Sequence, residues 1–469
     1  MSLQIFDSKS QSLRAFEPLN DGEARLYVCG PTVQSAPHVG HLRSAVAFDI
    51  VARWIRIGSG MKVSLARNVT DIDDKILASA VDQQIDWRQL AKDVEEIFDG
   101  YYRDVNAEVA IEPHATEHIG DMIALIEKLL ERGHAYVAND GSANVFFDSS
   151  SWGAYGELTN QKLENMDGET DGTHGRRHPQ DFALWKASKA DEPASAAFDS
   201  PWGKGRPGWH IECSAMTASI YGESFDIHGG GLDLRFPHHE NELAQSRAAG
   251  YDFANLWMHN GLVTVGGQKM SKSLGNGVSV SDLFAQGSPA AVRYWLGSAH
   301  YRTTLDYSTA SISESAAAVS RVFNFFKRAN IAIDAPTLGQ LTDDVVADIA
   351  AHLPSEFVLA MNYDFNVPEA LGVLHETIRH ANSKLDGSED FSREAEAARA
   401  MVLALGFGIV EQVAIDGELA DVVEDLIAQR NNAREQKDFA KADEIRAQLA
   451  NLGVSIEDTQ NGTTWSVNG

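Results

Sequence analysis

An apolar strand, a proline-framed loop and an amphipathic helix follow one another near the start of the chain, and this order favours a fold built on parallel strands. Residues 25–28 are largely apolar and rich in strand-forming side chains. After His38 the apolar side chains recur at helical spacing, and residues 63–68 form a second candidate strand. The segment therefore predicts a βαβ unit whose helix begins with His38 and His41. Because backbone N–H groups and the helix dipole favour phosphate at such a helix start, we expect a nucleoside triphosphate to bind here, beside the thiol of Cys29.

The composition is that of a soluble globular protein. With 469 residues, 43% of them hydrophobic and 23% charged, the chain is long enough for about two to four structural units. It has no run of about 18 apolar residues, and residues 1–14 are polar. We therefore expect no membrane span and no secretory signal, and a cytoplasmic protein. The net charge of −28 argues against non-specific nucleic-acid binding, but leaves a specific partner with a local basic surface open.

The alternation of strands and helices is interrupted once and then stops. Two short apolar runs within 136–147 flank an Asn-Asp-Gly turn, which predicts a hairpin inside an insertion, whereas 149–206 shows little periodicity. The last segment combines a helix rich in both charges with a second hairpin over 454–467. Beyond residue 307 the pattern indicates a helical bundle, with helices predicted at 310–329, 343–363, 367–384 and 394–413.

The residues that commonly bind metals form one candidate set. His238 and Glu242 lie on one face of a helix, although such a pair alone is more often a solvated face. The two cysteines, Cys29 and Cys213, are too few for a disulfide framework, and buried apolar packing is their alternative role. Sulfur, imidazole and carboxylate donors together are typical of zinc. Two neighbours are expected to point away from His238: His239 and Glu240.

Three other segments carry groups that suit a nucleotide. Lys269 and Lys272 follow a glycine pair, so we predict a mobile loop that clamps a polyphosphate, with a solvated basic loop as the alternative. The glycines at 229–231 precede Asp233, which predicts close approach of a nucleotide and a hydrogen bond to its ribose. The acidic run 71–74 either lies where ligands bind in α/β sheets or marks the start of a helix.

Several of these segments also resemble a known family. His38-Val39-Gly40-His41 and Lys269-Met270-Ser271-Lys272-Ser273 resemble the two ATP motifs of class I aminoacyl-tRNA synthetases. Other segments together resemble the cysteinyl-tRNA synthetase family: 29–32, 68–75, 208–213, 236–242, 300–302, 438–443 and 457–459. The likeness covers nearly the whole chain. The sequence departs from the family at Val39, where isoleucine is usual, and in the loop 34–37.

The resemblance implies an α/β fold with a Rossmann-like parallel-sheet catalytic domain, an insertion, a helical bundle and a small C-terminal α+β unit. The catalytic domain would comprise 1–114 and 201–265, separated by a connective insertion at 115–200. The remaining units would be a KMSKS loop and stem-contact region at 266–307, the bundle at 308–416 and an anticodon-binding domain at 417–469.

The resemblance also implies the reaction and its residues. ATP, with Mg²⁺, activates L-cysteine to cysteinyl-adenylate, and the cysteinyl group passes to the terminal ribose of tRNA(Cys); we expect a monomer. One zinc ion per subunit would be bound by Cys29, Cys213, His238 and Glu242. The amino-acid pocket would include Gly30, Thr70 and Trp209. Catalysis is expected from His38, His41, Lys269 and Lys272, and ATP binding from Gly40, Gly231, Asp233 and Lys272.

A zinc ion would account for rejection of serine. An apolar pocket separates near-isosteres by only about 10- to 200-fold, whereas a metal favours a thiolate over a hydroxyl. Two alternatives remain open. The related ligase of mycothiol synthesis joins cysteine to an amino sugar and lacks a terminal tRNA-binding unit, whereas residues 417–469 here include a modestly basic helix. The second alternative is a catalytically silent tRNA- or zinc-binding protein. The presence of both motif histidines and both motif lysines argues against this alternative.

Overall fold

The structure is a computed structural model that describes residues 2–168, 173–270, 277–409, 417–436, 438–451, 454–459 and 462–467. Its strands are β1 (Gln4–Asp7), β2 (Ser12–Ala15), β3 (Glu23–Val28), β4 (Lys62–Arg67), β5 (Ala135–Val137), β6 (Val145–Phe147), β7 (Phe182–Ala187), β8 (Gly205–Pro207), β9 (Ser224–Gly231), β10 (Phe253–Asn260), β11 (Val263–Val265), β12 (Gln268–Lys269), β13 (Leu305–Tyr307), β14 (Val454–Thr459) and β15 (Gly462–Val467). Its α-helices are α1 (Val39–Ser59), α2 (Asp74–Gln83), α3 (Trp87–Asp104), α4 (Ile119–Glu131), α5 (Trp209–Tyr221), α6 (Glu240–Ala248), α7 (Val280–Phe284), α8 (Pro289–Ser298), α9 (Thr309–Ala329), α10 (Asp343–His352), α11 (Ser355–Asn362), α12 (Val367–Asp386), α13 (Ser392–Leu405), α14 (Gly417–Glu435) and α15 (Phe439–Asn451).

A four-stranded parallel sheet in the order β10-β9-β3-β4 forms the centre of the fold. The predicted βαβ unit is β3, α1 and β4, and the second half of the domain adds β9 directly beside β3. Helix α1 is buried along most of its length, and Gly60 ends it with a positive φ of 72°. The prediction of a Rossmann-like parallel sheet is therefore confirmed. Because β3 and β9 are central neighbours, their carboxyl ends form the crevice where ligands bind in such sheets.

The insertion contains a four-stranded antiparallel sheet, β5-β6-β7-β8. The predicted hairpin is β5 and β6. The sequence did not indicate β7 or β8, because β7 begins with four consecutive buried residues and has no polar alternation, and β8 is only three residues long. Strand β8 lies beyond the predicted boundary at residue 200, and the domain boundaries themselves stay predictions.

The helical region after β13 packs against α1. The helix predicted over 343–363 is two helices, α10 and α11, because Pro354 separates them. The helix predicted over 394–413 is α13, which ends at Gly406 with a positive φ of 67°; residues 410–413 lie outside the described part. Asp49 of α1 binds Arg53 at 2.7 Å and also binds Arg293 of α8. Among the described residues, no helix is long and apolar enough to cross a membrane.

The C-terminal segment contains two helices, α14 and α15, where the sequence indicated one. The second predicted hairpin is present, with β14 and β15 paired antiparallel and Ile456 opposite Trp465. The sequence predicts the turn of this hairpin at Asn461 and Gly462, and Asn461 lies outside the described residues. This segment is therefore the small α+β unit that the sequence predicts.

Candidate metal centre and active site

Four donor atoms from distant parts of the chain lie together at the carboxyl edge of the parallel sheet. Cys29 follows β3, Cys213 lies in α5, His238 lies two residues before α6, and Glu242 lies in the first turn of α6. The four ligand atoms lie within 4.8 Å of one another. The structure thus brings together all members of the predicted metal set. Their role as zinc ligands stays a prediction.

The spacing of these atoms fits a small tetrahedral ion. The two Sγ atoms are 3.6 Å apart, and Cys213 Sγ is 3.6 Å from His238 Nε2. Cys29 Sγ is 3.4 Å from Glu242 Oε1, which is 3.1 Å from His238 Nε2. Zinc at its usual bond lengths gives tetrahedral edges of about 3.8 Å between two sulfurs and about 3.3 to 3.6 Å for the other pairs. The donors therefore suit zinc both in chemical type and in spacing.

Burial and the neighbouring histidines together determine the charge that this set presents. Burial raises the pKa of Glu242, but His228 and His238 outweigh it and leave that pKa lowered. Burial lowers the pKa of His238 to about 3 and raises the pKa of the Cys29 and Cys213 thiols. The protein therefore presents a carboxylate, a neutral imidazole and two thiols at neutral pH. A divalent cation that binds here must displace protons from sulfur, so its affinity rises with pH.

His228 of β9 makes a second contact to Glu242 that the sequence did not indicate. Its Nε2 lies 2.8 Å from Glu242 Oε2, and both side chains are fully buried. The ring stacks on Trp257 with centroids 4.6 Å apart. Carboxylates that bind metals are themselves usually held by an outer hydrogen bond, which is the position that His228 occupies. A histidine inside the predicted strand was the available signal.

A second possible metal set, Cys29, His228, His239 and Glu242, overlaps the first. It is spaced less evenly: His228 already lies at hydrogen-bond distance from Glu242, whereas His239 Nε2 is 4.0 Å from Glu242 Oε1. The expectation that His239 points away from the site is wrong. The reason is that His239 and Glu242 are three positions apart, and residues at this spacing are neighbours on one face of a helix.

Glu240, by contrast, belongs to neither set: it faces the insertion, where hydrogen bonds saturate its carboxylate. Its carboxylate accepts hydrogen bonds from the backbone N–H groups of Gly156 and Leu158, and from both the N–H and the hydroxyl of Thr159. Glu240 is therefore accounted for by a structural role, and it does not compete for the cation.

The three predicted pocket residues lie beside the donor set. A Cβ atom on Gly30 would lie 1.7 Å from the backbone oxygen of Asn68, so only glycine fits there. Thr70 donates a hydrogen bond to Glu212 Oε2 at 2.8 Å. The ring of Trp209 stacks on His238 with centroids 4.1 Å apart.

Three neighbours of this pocket were missed by sequence reasoning. Asn68 accepts a hydrogen bond from the N–H of Gly30 at 2.9 Å. His210 Nδ1 lies 3.0 Å from His238 Nδ1, and Glu212 is buried beside Thr70. Burial raises the pKa of Glu212, and Asp73 and Asp71 raise it further, whereas its hydrogen bond from Thr70 opposes the shift. The acidic residue beside a candidate metal ligand was the signal available for Glu212.

The helix start predicted to bind phosphate has an unusual cap. His38 Nδ1 accepts a hydrogen bond from the N–H of Gly40 at 3.1 Å, and His41 Nδ1 accepts one from the N–H of His38 at 3.2 Å. The two rings stack with centroids 3.8 Å apart. Removal from solvent, and secondly the neighbouring His38, lower the pKa of His41 well below its ordinary value. His41 is therefore a neutral imidazole at physiological pH.

The chain that follows the second phosphate motif lies against this cap. Lys269 is exposed at the end of β12, and Lys272 lies outside the described residues. The chain re-enters the described part at residue 277 and then follows the loop before α1. Val39 N–H donates to Val278 O at 3.3 Å, and Val280 N–H donates to Pro37 O at 3.4 Å. The chain on the far side of the second motif thus lies against the first.

The glycine run is part of β9 and does not form a separate loop. A Cβ on Gly229 would lie 2.3 Å from the Phe48 ring, and one on Gly230 would lie 2.8 Å from the His239 ring. Packing therefore explains these two glycines, and close approach of a nucleotide is not needed to explain them. Gly231 and the exposed Asp233 lie at the carboxyl edge of the sheet, where their predicted role in ATP binding stays a prediction.

The acidic run supports its structural alternative. Asp71 accepts a hydrogen bond from the Thr116 N–H at 2.9 Å. Asp73 caps α2, and Asp74 forms ion pairs with Arg206 and with Lys186, the latter at 2.9 Å. Asp71 and Asp74 therefore tie the first half of the domain to the insertion, whereas Asp73 acts within the first half.

Comparison with known proteins agrees with this architecture. The sequence model for "tRNA synthetases class I (C) catalytic domain" matches residues 15–317, that for the DALR domain matches 356–409, and that for "Cysteinyl-tRNA ligase anticodon binding domain" matches 416–465. The cysteine–tRNA ligase of Kocuria rhizophila is 50% identical, with 100% of both chains covered. That of Leifsonia xyli is also 50% identical, again over 100% of each chain.

Solved structures of other synthetases share the fold at low sequence identity. Methionyl-tRNA synthetase of Mycobacterium tuberculosis with methionyl-adenylate has a TM-score of 0.56 and 17% identity, and covers 82% of this chain and 88% of its own. The LeuRS–tRNA–LeuAMS complex of Agrobacterium radiobacter has a TM-score of 0.58 and 12% identity, with 84% of each chain covered. These structures show the fold that the chain shares, and the full-length relatives show its family. The chain belongs to the cysteinyl-tRNA synthetase family.

Proposed function

We propose that this chain joins L-cysteine to tRNA(Cys) at the expense of ATP, and that a zinc ion selects the substrate through its thiolate. The carboxylate of cysteine attacks the α-phosphate of ATP, pyrophosphate leaves, and the 3′-terminal ribose of the tRNA then takes the cysteinyl group from AMP. Family membership supports the overall reaction. The observation that carries the proposed specificity is the convergence of two thiols, an imidazole and a carboxylate within 4.8 Å.

Cys29, Cys213, His238 and Glu242 are the residues that would hold one zinc ion per subunit. When bound, zinc acts as a Lewis acid that lowers the pKa of a thiol and favours thiolate over hydroxyl ligands. The chain's own contribution is to bury these donors and to fix Glu242 through His228. Gly30, Thr70 and Trp209 would line the pocket for the rest of the amino acid.

His38 and His41 would bind the phosphates of ATP at the start of α1, and Gly40, Gly231 and Asp233 would complete the nucleotide site. The positions of these residues support the proposed roles, because α1 begins and β9 ends at the same edge of the sheet. Lys269 and Lys272 would stabilise the charge that develops on the phosphates, with Mg²⁺ as the counter-ion of ATP. Because His41 is neutral, it would act as a hydrogen-bonding group and not as a cation. We expect a monomer.

The rival reaction, transfer of cysteine to an amino sugar, has less support. The match of the anticodon-binding domain to residues 416–465 supports a tRNA-binding unit where that ligase is expected to have none. The two reactions share cysteine activation, so the acceptor distinguishes them.

The proposal is tested by zinc content, cysteine-dependent pyrophosphate exchange and charging of tRNA(Cys). We expect Cys213→Ser to lose most of its zinc and most of its preference for cysteine over serine, whereas Met216→Leu, a buried change in the same helix, should retain both. Full retention of zinc and of selectivity in Cys213→Ser would refute the ligand assignment. Transfer to an amino sugar in place of tRNA would refute the proposed acceptor.

A further inference from the structure

The two cysteines of the chain, Cys29 and Cys213, lie close enough to react with one another. Their Sγ atoms are 3.6 Å apart, although the residues are separated by 184 positions in the sequence. Both are free thiols, and the sequence has no third cysteine. A disulfide has an S–S bond of about 2.0 Å, so each sulfur would have to move by about 0.8 Å, which is within the amplitude of ordinary thermal fluctuation. Any disulfide inside this chain must therefore join this pair.

The two sulfur-bearing residues differ in their access to solvent. Cys29 follows β3 and is 9% exposed, whereas Cys213 lies in α5 and is 2% exposed. Gly30, the chain neighbour of Cys29, and Trp209, one turn before Cys213, are half-buried. Under the proposed function this space admits the substrate cysteine, so it also admits hydrogen peroxide, which is smaller. Cys29 is therefore the cysteine that a small oxidant meets first.

The short distance between the two sulfurs also limits what oxidation can produce. A cysteine sulfenic acid condenses with a nearby thiol to a disulfide, or is oxidised further to the irreversible sulfinic acid. The fold holds Cys213 against Cys29, so the condensation is intramolecular and should outcompete attack by a second peroxide molecule. Because both residues are buried, a disulfide between two copies of the chain is disfavoured. The favoured product is therefore the disulfide within one chain.

A disulfide at this position removes half of the candidate metal set. Cys29 and Cys213 would no longer offer thiolates, which leaves His238 and Glu242 as donors. Two donors are fewer than the three or four protein ligands that zinc sites have. The overlapping donor set also contains Cys29, so neither set remains complete after oxidation. Bound zinc and the disulfide are therefore alternative states of the same two sulfur atoms.

We infer that Cys29 and Cys213 form a reversible disulfide when the protein meets hydrogen peroxide, and that this disulfide releases the zinc ion. The Cys29 sulfur attacks one peroxide oxygen, the O–O bond breaks, and Cys29 becomes a sulfenic acid as the first water leaves. The Cys213 sulfur then attacks the Cys29 sulfur, the S–O bond breaks, and the second water leaves.

The reaction is balanced by these two reactants. Two thiols lose two electrons and two protons to one peroxide molecule, which gives one disulfide and two water molecules; where the sulfurs begin as thiolates, solvent supplies the two protons. The release of zinc rests on the proposed function, whereas the disulfide rests on the position of the two sulfurs. Because a thiol reductant reverses a disulfide, the pair would inactivate the protein only while the oxidant is present.

The test treats the zinc-loaded full-length protein with hydrogen peroxide. Three quantities are followed: free thiols, zinc released to a chromophoric chelator, and the cross-linked peptide that contains residues 29 and 213, detected by mass spectrometry. We expect both thiols to be lost together, with one zinc ion released for each disulfide formed. Dithiothreitol followed by zinc should restore both thiols and the zinc content. Met216→Leu, a buried change in the same helix as Cys213, keeps both sulfurs and should behave as wild type does.

The single cysteine variants test the order of attack. In Cys213→Ser the remaining sulfur is the more exposed one, and dimedone should trap it as a sulfenic acid. In Cys29→Ser the remaining Cys213 should be trapped several-fold more slowly, because it is less exposed. Faster trapping of Cys213 than of Cys29 would overturn the assigned order. If these variants do not fold, the peptide map of the wild type decides the question.

Four results with the wild type would overturn the inference: zinc release while both thiols persist, sulfinic acid without the cross-linked peptide, a disulfide between two chains, or retention of both thiols and zinc at a peroxide concentration that fully oxidises glutathione. A cross-linked peptide from a protein that binds no zinc would support the disulfide. That result would instead contradict the metal assignment in the proposed function.

Discussion

Removal of the outer hydrogen bond to Glu242 should weaken zinc binding by a predictable amount. His228→Phe keeps an aromatic ring against Trp257 and Tyr27, whose centroids lie 4.6 and 5.6 Å from the His228 ring, but it cannot donate to Glu242. The lost bond is 2.8 Å long and fully buried. A hydrogen bond to a charged group contributes about 1.5 to 3 kcal/mol, which corresponds to roughly 10- to 100-fold in zinc affinity.

The assay is competition for zinc against a chromophoric chelator, with His259→Phe as the matched control. His259 is buried and contacts His239 at 2.9 Å, so its replacement changes the same cluster without touching the bond to Glu242. His228 lowers the pKa of Glu242, so His228→Phe should raise that pKa and release zinc at a higher pH than wild type. A zinc affinity within about twofold of wild type, beside a folded control, would refute this reasoning.

Three further changes test the fold and its electrostatics. Asp49→Asn leaves two buried arginines without their carboxylate, and should destabilise the protein by about 3 to 5 kcal/mol, seen as unfolding at lower urea concentration. Glu95 raises the pKa of His114 to about 9, so Glu95→Gln should lower the pKa of His114 towards its ordinary value in an NMR titration. The stabilisation from this pair is fully present below the ordinary histidine pKa, and it is lost as pH rises through about 9. Gly229→Ala places a methyl group against Phe48 and should lower the melting temperature.

The sequence was most informative where residue types are rare and their chemistry is restrictive. With two cysteines in the chain, a histidine and a glutamate four positions apart were enough to indicate one metal set, and the structure brings those four side chains together. The βαβ unit was predictable because its strand and helix periodicities differ clearly. The break between α10 and α11 was also available in the sequence as Pro354, although the apolar pattern on both sides suggested a single helix.

Residues that act through another residue were not predictable. His228 matters because of Glu242, and Glu212 because of Thr70, which is 142 positions away in the chain. Such contacts depend on how the two halves of the sheet meet, and no local pattern records that. Strands β7 and β8 were missed for a different reason, because a continuously buried strand between Gly- and Pro-rich segments has no alternation to detect.

The central claim is that Cys29, Cys213, His238 and Glu242 bind one zinc ion. Zinc-edge X-ray absorption of the full-length protein without cysteine tests it most directly, because the two overlapping sets contain different numbers of sulfur atoms. We expect one zinc per chain, with two sulfur atoms and two nitrogen or oxygen atoms bound directly to it. A single bound sulfur atom would instead favour the set of Cys29, His228, His239 and Glu242, and zinc without bound sulfur would contradict the claim altogether.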